Sequence, residues 1–113
     1  MEDRYLFKGK EKDSGKWLEW NAIAGIPHNV TILTNTICQC TGLKDKNGEL
    51  IFENDIIERL DIHDIKEPSI GIIEYDVENT SFLIHWTDIA NYSPTFHWKN
   101  RIGVIGNIFD NPK

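Results

Sequence analysis

Short apolar runs, rich in β-branched and aromatic residues and broken about every 8 to 15 residues by turn-forming Gly, Asn, Asp or Pro, restrict this chain more than any other feature. No window carries a sustained helical period, which argues against long amphipathic helices and against alternating βαβ units. The pattern predicts strands over 4–8, 16–23, 30–34, 36–41, 49–52, 55–61, 70–75, 81–87, 95–99 and 101–109. So many short strands in 113 residues predict one domain with one core. The expected class is all-β, mainly antiparallel, with little helix, and barrel-like in form, an SH3-like barrel being one such arrangement.

Two turns stand out. Asp45-Lys46-Asn47-Gly48 lies between apolar flanks, and Asn-Gly supplies the positive φ that tight hairpins need. Asn54, ahead of Asp55-Ile56-Ile57, tolerates left-handed geometry and predicts a sharp reversal. The polar stretch from Asp61 to Ser69 reads as a loop that ends at Pro68.

Charge narrows the partners. Twelve Lys and Arg stand against 18 Asp and Glu, a net charge of −6 that opposes a phosphate backbone at long range. Residues 1–20 hold Arg4, Lys8, Lys10, Lys12 and Lys16, but five carboxylates in the same stretch cancel them. The imbalance arises in 45–78, where eleven acidic side chains meet only Lys46, Arg59 and Lys66. No apolar run nears the roughly 20 residues of a membrane span, and no leader-like segment is visible, so a cytoplasmic protein with reduced thiols and no membrane contact is expected.

Each cluster that could carry chemistry lacks a component. Cys38 and Cys40 would share one strand face, yet zinc needs four ligands and no second pair follows, so two buried thiols are the simpler reading. His85 and His97 each precede a Trp; if strands 81–87 and 95–99 form a hairpin, both imidazoles share one face, but no nucleophile accompanies them. Asp61, His63 and Asp64 group carboxylates around a histidine in a segment expected to be a solvated loop. Gly103-Val104-Ile105-Gly106 is apolar inside and continues as a strand, which fits a bend or bulge better than a phosphate loop. Trp17 and Trp20, beside Lys8 to Lys16, could stack on bases or on a protein partner.

The stretch CTGLKDKNGELIFENDII, Cys40 to Ile57, together with VIGNIFDNP, Val104 to Pro112, resembles the YopX family of phage and prophage proteins. Gln39, Thr41, Gly42, Leu43, Asp45, Gly48, Ile51, Phe52, Glu53, Asp55 and Ile56 stand in register with the family pattern Q-Y-T-G-L-x-D-x-x-G-x-x-I-Y/F-E-G-D-I-V. The opening LFKGKEKDSGKWLEW, Leu6 to Trp20, is similar to the family's start, so the resemblance spans nearly the whole chain. Cys40 replaces the commoner aromatic and Asn54 the commoner Gly. The resemblance implies a compact β-rich fold in a phage-infected or lysogenic bacterium, with no catalytic residues to carry over. Thr41, Gly42, Asp45, Asn47, Gly48, Asn54, Asp55, Gly106 and Asn107 then read as turn and capping positions.

The expected function is a non-enzymatic interaction module, without cofactor or metal, that binds a protein partner or itself. The candidate surface holds Trp17, Trp20, Asp61, His63, Asp64, His85 and His97. A nucleic-acid accessory protein is the alternative, disfavoured by charge, and a small metal-dependent hydrolase is the third reading.

Overall fold

Left-handed residues mark four of the chain reversals: Gly15, Gly48, Asn54 and Thr80 all have positive φ. The computed structural model describes residues 3–61, 68–89 and 91–110. Between the reversals run β1 (Leu6–Lys10), β2 (Trp17–Asn21), β3 (Cys38–Lys44), β4 (Leu50–Phe52), β5 (Asp55–Arg59), β6 (Ile70–Asp76), β7 (Ser81–Trp86), β8 (Asn91–Pro94) and β9 (Ile102–Asn107). A single α-helical turn, α1 (Thr95–Trp98), joins β8 to β9.

All strand pairs are antiparallel and form two sheets, one ordered β2-β1-β3-β4 and the other β8-β7-β6-β5-β9. The expected all-β class is therefore correct. The expected barrel is not: among the described residues no sheet closes, and the SH3-like form is not found. β4 is only three residues long, and Asn54, at φ 71°, turns the chain out of the first sheet before a longer ladder can form. Asn54 is held there by its own N–H to Ile73 C=O and by its C=O, which accepts from Ile108 N–H.

The Asp45 turn is built by its carboxylate. One oxygen accepts from Asn47 N–H and Glu49 N–H, the other from Val104 N–H across on β9, at 2.8 to 2.9 Å. Gly48, not Asn47, takes the positive φ, and Gly48 N–H donates to Asp45 C=O, so the tip is a four-residue turn with one left-handed residue. The β9 bulge is where Gly103 to Gly106 predicted it: Ile56 faces Gly106 while Ile57 faces Val104, leaving Ile105 as the extra residue.

Two strand expectations fail. Residues 30–34 contribute only an isolated bridge, Glu11 to Ile32, before a 3-10 turn at Thr34–Thr36. Residues 95–99 begin with α1: Thr95 Oγ1 donates to Phe82 C=O, and Trp98 packs edge-on to Trp86, so its apolar residues serve a helical turn. The partner of β7 is instead β8, whose run Asn91-Tyr92-Ser93-Pro94 has too little apolar character to stand out in the sequence.

β4 places adjacent residues in two cores. Ile51 joins Ile57, Ile73, Ile84, Trp86 and Ile102, while Phe52 joins Cys38 and Cys40. Fully burying an Ile or Phe contributes about 1.5–3 kcal/mol, so this three-residue strand ties both cores together. No helix among the described residues is long and apolar enough to cross a membrane.

Candidate functional site

Alternation along β1 puts Lys8 and Lys10 on one face, and the register sets Glu19 opposite Lys8 and Trp17 opposite Lys10. Of these four, Lys8 and Glu19 line a cleft of about 360 Å³ between the sheets, together with Glu49, Leu50, Phe52, Asp55 and Asn107. Lys8 Nζ lies 3.5 Å from Asp55 Oδ1 and sits over the Phe52 and Trp17 rings at 4.5 and 4.9 Å. Asp55 is 2% exposed, and its other oxygen accepts from Phe52 N–H at 2.8 Å. Burial pushes its carboxyl up to about 6, outweighing the pull of Lys8 in the opposite direction.

Asp110 lies beside the cleft, bonded to Asn107 of its lining. It pairs with Lys10 and accepts from Trp17 Nε1 at 2.7 Å and Asn107 Nδ2 at 3.0 Å. Lys10 first, then Trp17 and Asn107, hold its carboxyl down at about 2. Asn107 Oδ1 meanwhile accepts from Phe109 and Asp110 N–H groups and shapes the turn that delivers Asp110. The three segments that carry the family resemblance thus meet here: Lys8 and Trp17 from the first, Phe52 and Asp55 from the second, Asn107 and Asp110 from the third. Among the described residues the lining of this cleft holds no hydroxyl, thiol or imidazole.

A second concavity, about 500 Å³, lies on the five-stranded sheet among Glu74, Tyr75, Asp76, Val77, Glu78, Leu83 and Tyr92. Val77 is 76% and Tyr92 52% exposed, so carboxylates and open apolar side chains share one groove. Glu74 Oε2 lies 2.9 Å from His85 Nδ1, and His85 stacks on Tyr92 at 4.5 Å. Asp76 accepts from Glu78 N–H and Asn79 Nδ2, which orders the turn that presents Val77 and Glu78.

The structure separates several residues that the sequence suggested together. Trp17 lies on the Lys8 face of β2, beneath Lys8 Nζ, whereas Trp20 faces the other side and stacks on Phe7 at 6.5 Å, so the two form no common platform. His85 and His97 do not share a hairpin: His85 is on β7 and His97 on α1, beside Phe96. Asp61 accepts from Arg59 Nε at 2.6 Å, and that bond lowers its carboxyl below the usual range. His63 and Asp64 lie outside the described residues. Among the described residues no three His, Cys, Asp or Glu side chains converge to hold a metal. Cys38 and Cys40 are buried free thiols, both raised by burial. Thr41 Oγ1 donates to Ile51 C=O and accepts from Leu43 N–H, and Gly42, at φ 83°, lies against Arg4.

Reading the sequence missed Phe52 in the cleft, Asp110 beside it, and Val77 and Tyr92 in the groove. The i, i+2 spacing of Lys8 and Lys10 was a usable signal for a shared face, but nothing local announces that Asp55 and Asp110 meet them.

Two open antiparallel sheets joined at a polar cleft define a small two-sheet β domain. The chain belongs to the YopX protein family, which it matches over residues 1–113. It is similar in fold to the crystal structure of protein EF1440 from Enterococcus faecalis, with a TM-score of 0.59, 23% identity and coverage of 95% of this chain and 94% of that one. No curated protein matches it.

Proposed function

We propose that this chain is a non-enzymatic, phage- or prophage-encoded interaction module that binds a basic segment of a protein partner in the groove of the five-stranded sheet. One observation carries the reading: Glu74, Asp76 and Glu78 border the open side chains of Val77 and Tyr92. Aromatic anchors ringed by charge are the usual make-up of a protein-binding patch, and three carboxylates select Lys or Arg in the occupant. A second copy is a poorer fit, because the chain is itself at −6. The nucleic-acid alternative has less support: Lys8 and Lys10 are paired with Asp55 and Asp110 and lie over the Trp17 ring that a base would need.

Capture from host lysate, run in parallel with the wild-type chain and with a Val77→Asp, Tyr92→Ala double variant, tests the reading. The expected result is a protein retained by the first and lost by the second, in a salt-dependent manner. Equal retention by both, or a wild-type chain that captures nothing and scatters light as a monomer, would refute it.

A further inference from the structure

Two open sheets have four outer edges, and each edge strand presents backbone N–H and C=O groups that another chain could pair with. Three of these edges are blocked. On β8, Tyr92 N–H donates to the Asn91 side chain, and Pro94 has no N–H. On β9, Ile102 C=O accepts from Lys46 N–H, and Val104 N–H donates to Asp45. On β4, only three residues long, Phe52 N–H donates to Asp55.

β2 is different. Glu11 N–H donates to Lys16 C=O and Ala22 N–H to Tyr5 C=O, with an unbroken register between them. Antiparallel pairing alternates, so Leu18 and Trp20 bond to β1 while Trp17, Glu19 and Asn21 direct their backbone groups outward. Asn21 C=O accepts from Gly25 N–H; the N–H and C=O of Trp17 and Glu19 and the N–H of Asn21 have no partner among the described residues. No proline, bulge or lysine interrupts the five residues Trp17-Leu18-Glu19-Trp20-Asn21.

We propose that the outer edge of β2 is a strand-addition site for an extended segment of a partner protein that places Lys or Arg opposite Glu19. Charge and register both favour such an occupant. Glu19 is exposed and has no ion-pair partner among the described residues, because Lys8, its cross-strand neighbour, is held by Asp55. A second copy laid antiparallel in full overlap would set Glu19 against Glu19, and like charges directly opposite destabilise a pair. Main-chain bonds supply affinity at such an edge and the facing side chains supply selectivity. This site is independent of the groove on the other sheet.

Panning random peptides about eight residues long, within the usual range of strand lengths, against the full chain tests the proposal. Peptides rich in β-branched residues with a central Lys or Arg are expected. Glu19→Pro removes an outward N–H without touching the ladder to β1, so it should fold yet lose at least about tenfold in affinity for them. Tyr92→Ala should leave their binding unchanged, which separates this site from the groove. Amide exchange on the wild-type chain gives a readout that needs no variant: the selected peptide should slow Trp17, Glu19 and Asn21 and leave Leu18 and Trp20 as they were. The proposal is overturned if no peptide is enriched, if the peptides bind Glu19→Pro equally, or if those amides are protected without peptide in proportion to protein concentration, as pairing with a second copy requires.

Discussion

Lys8 of β1 and Asp55 of β5 face one another across the cleft, Nζ 3.5 Å from Oδ1, and join the four-stranded sheet to the five-stranded one through a shielded ion pair. Such a pair is costly to bury and costlier to break, because removal of either partner leaves the other charge half-desolvated. Its position, where the three segments of family resemblance meet, makes it a clasp between the sheets.

The clasp has a pH signature. Unfolded, the Asp55 carboxyl titrates near 3.8; folded, burial raises it to about 6. Between those values the folded chain holds a proton that the unfolded chain has released. The stability contributed is complete below the unfolded value and lost as pH rises through 6, on the order of 2 kcal/mol. Asp55→Asn cannot titrate, so its stability relative to wild type should improve by that amount between pH 4 and 7 in urea denaturation. A pH-independent difference would show that Asp55 titrates normally.

Asp45 holds a turn and a neighbouring strand with one carboxylate. Asp45→Ala leaves Val104 N–H without its acceptor in a partly buried site and frees two turn amides. A loss of about 2–3 kcal/mol is expected from the denaturation midpoint, with Asp45→Asn between that variant and wild type.

Thr80 is β-branched and yet adopts φ 49° in the turn from β6 to β7. Left-handed backbone costs an L-residue roughly 1 kcal/mol or more, and glycine avoids it. Thr80→Gly should raise the melting temperature, with a gain of about 0.5 kcal/mol after the entropy that glycine restores to the unfolded chain. A lower melting temperature would mean that the Thr80 hydroxyl bond to Asn79 C=O outweighs the strain.

Both thiols should be silent to a thiol-labelling reagent in the native state. Cys38 and Cys40 are buried and burial raises both, which disfavours the reactive thiolate. Complete labelling of both is expected only in denaturant, and prompt labelling of the folded chain would show that the smaller core opens.

Local chemistry determined much of this protein by itself. Turn residues and short alternating runs specify an antiparallel all-β chain, the Asp45 to Gly48 tip, the left-handed Asn54 and the β9 bulge, because each depends on a few neighbouring φ/ψ preferences. Segments whose own signal was weak or ambiguous went the other way. Residues 95–99 became a helical turn because Trp98 is needed against Trp86, and 91–94 became a strand because β7 needed a partner. Closure into a barrel, the separation of His85 from His97, and the meeting of Lys8 with Asp55 and of Trp17 with Asp110 depend on how two sheets are placed in space. Residues 93 positions apart along the chain, as Trp17 and Asp110 are, leave no trace of their contact in either local stretch. Only the tertiary fold decides it.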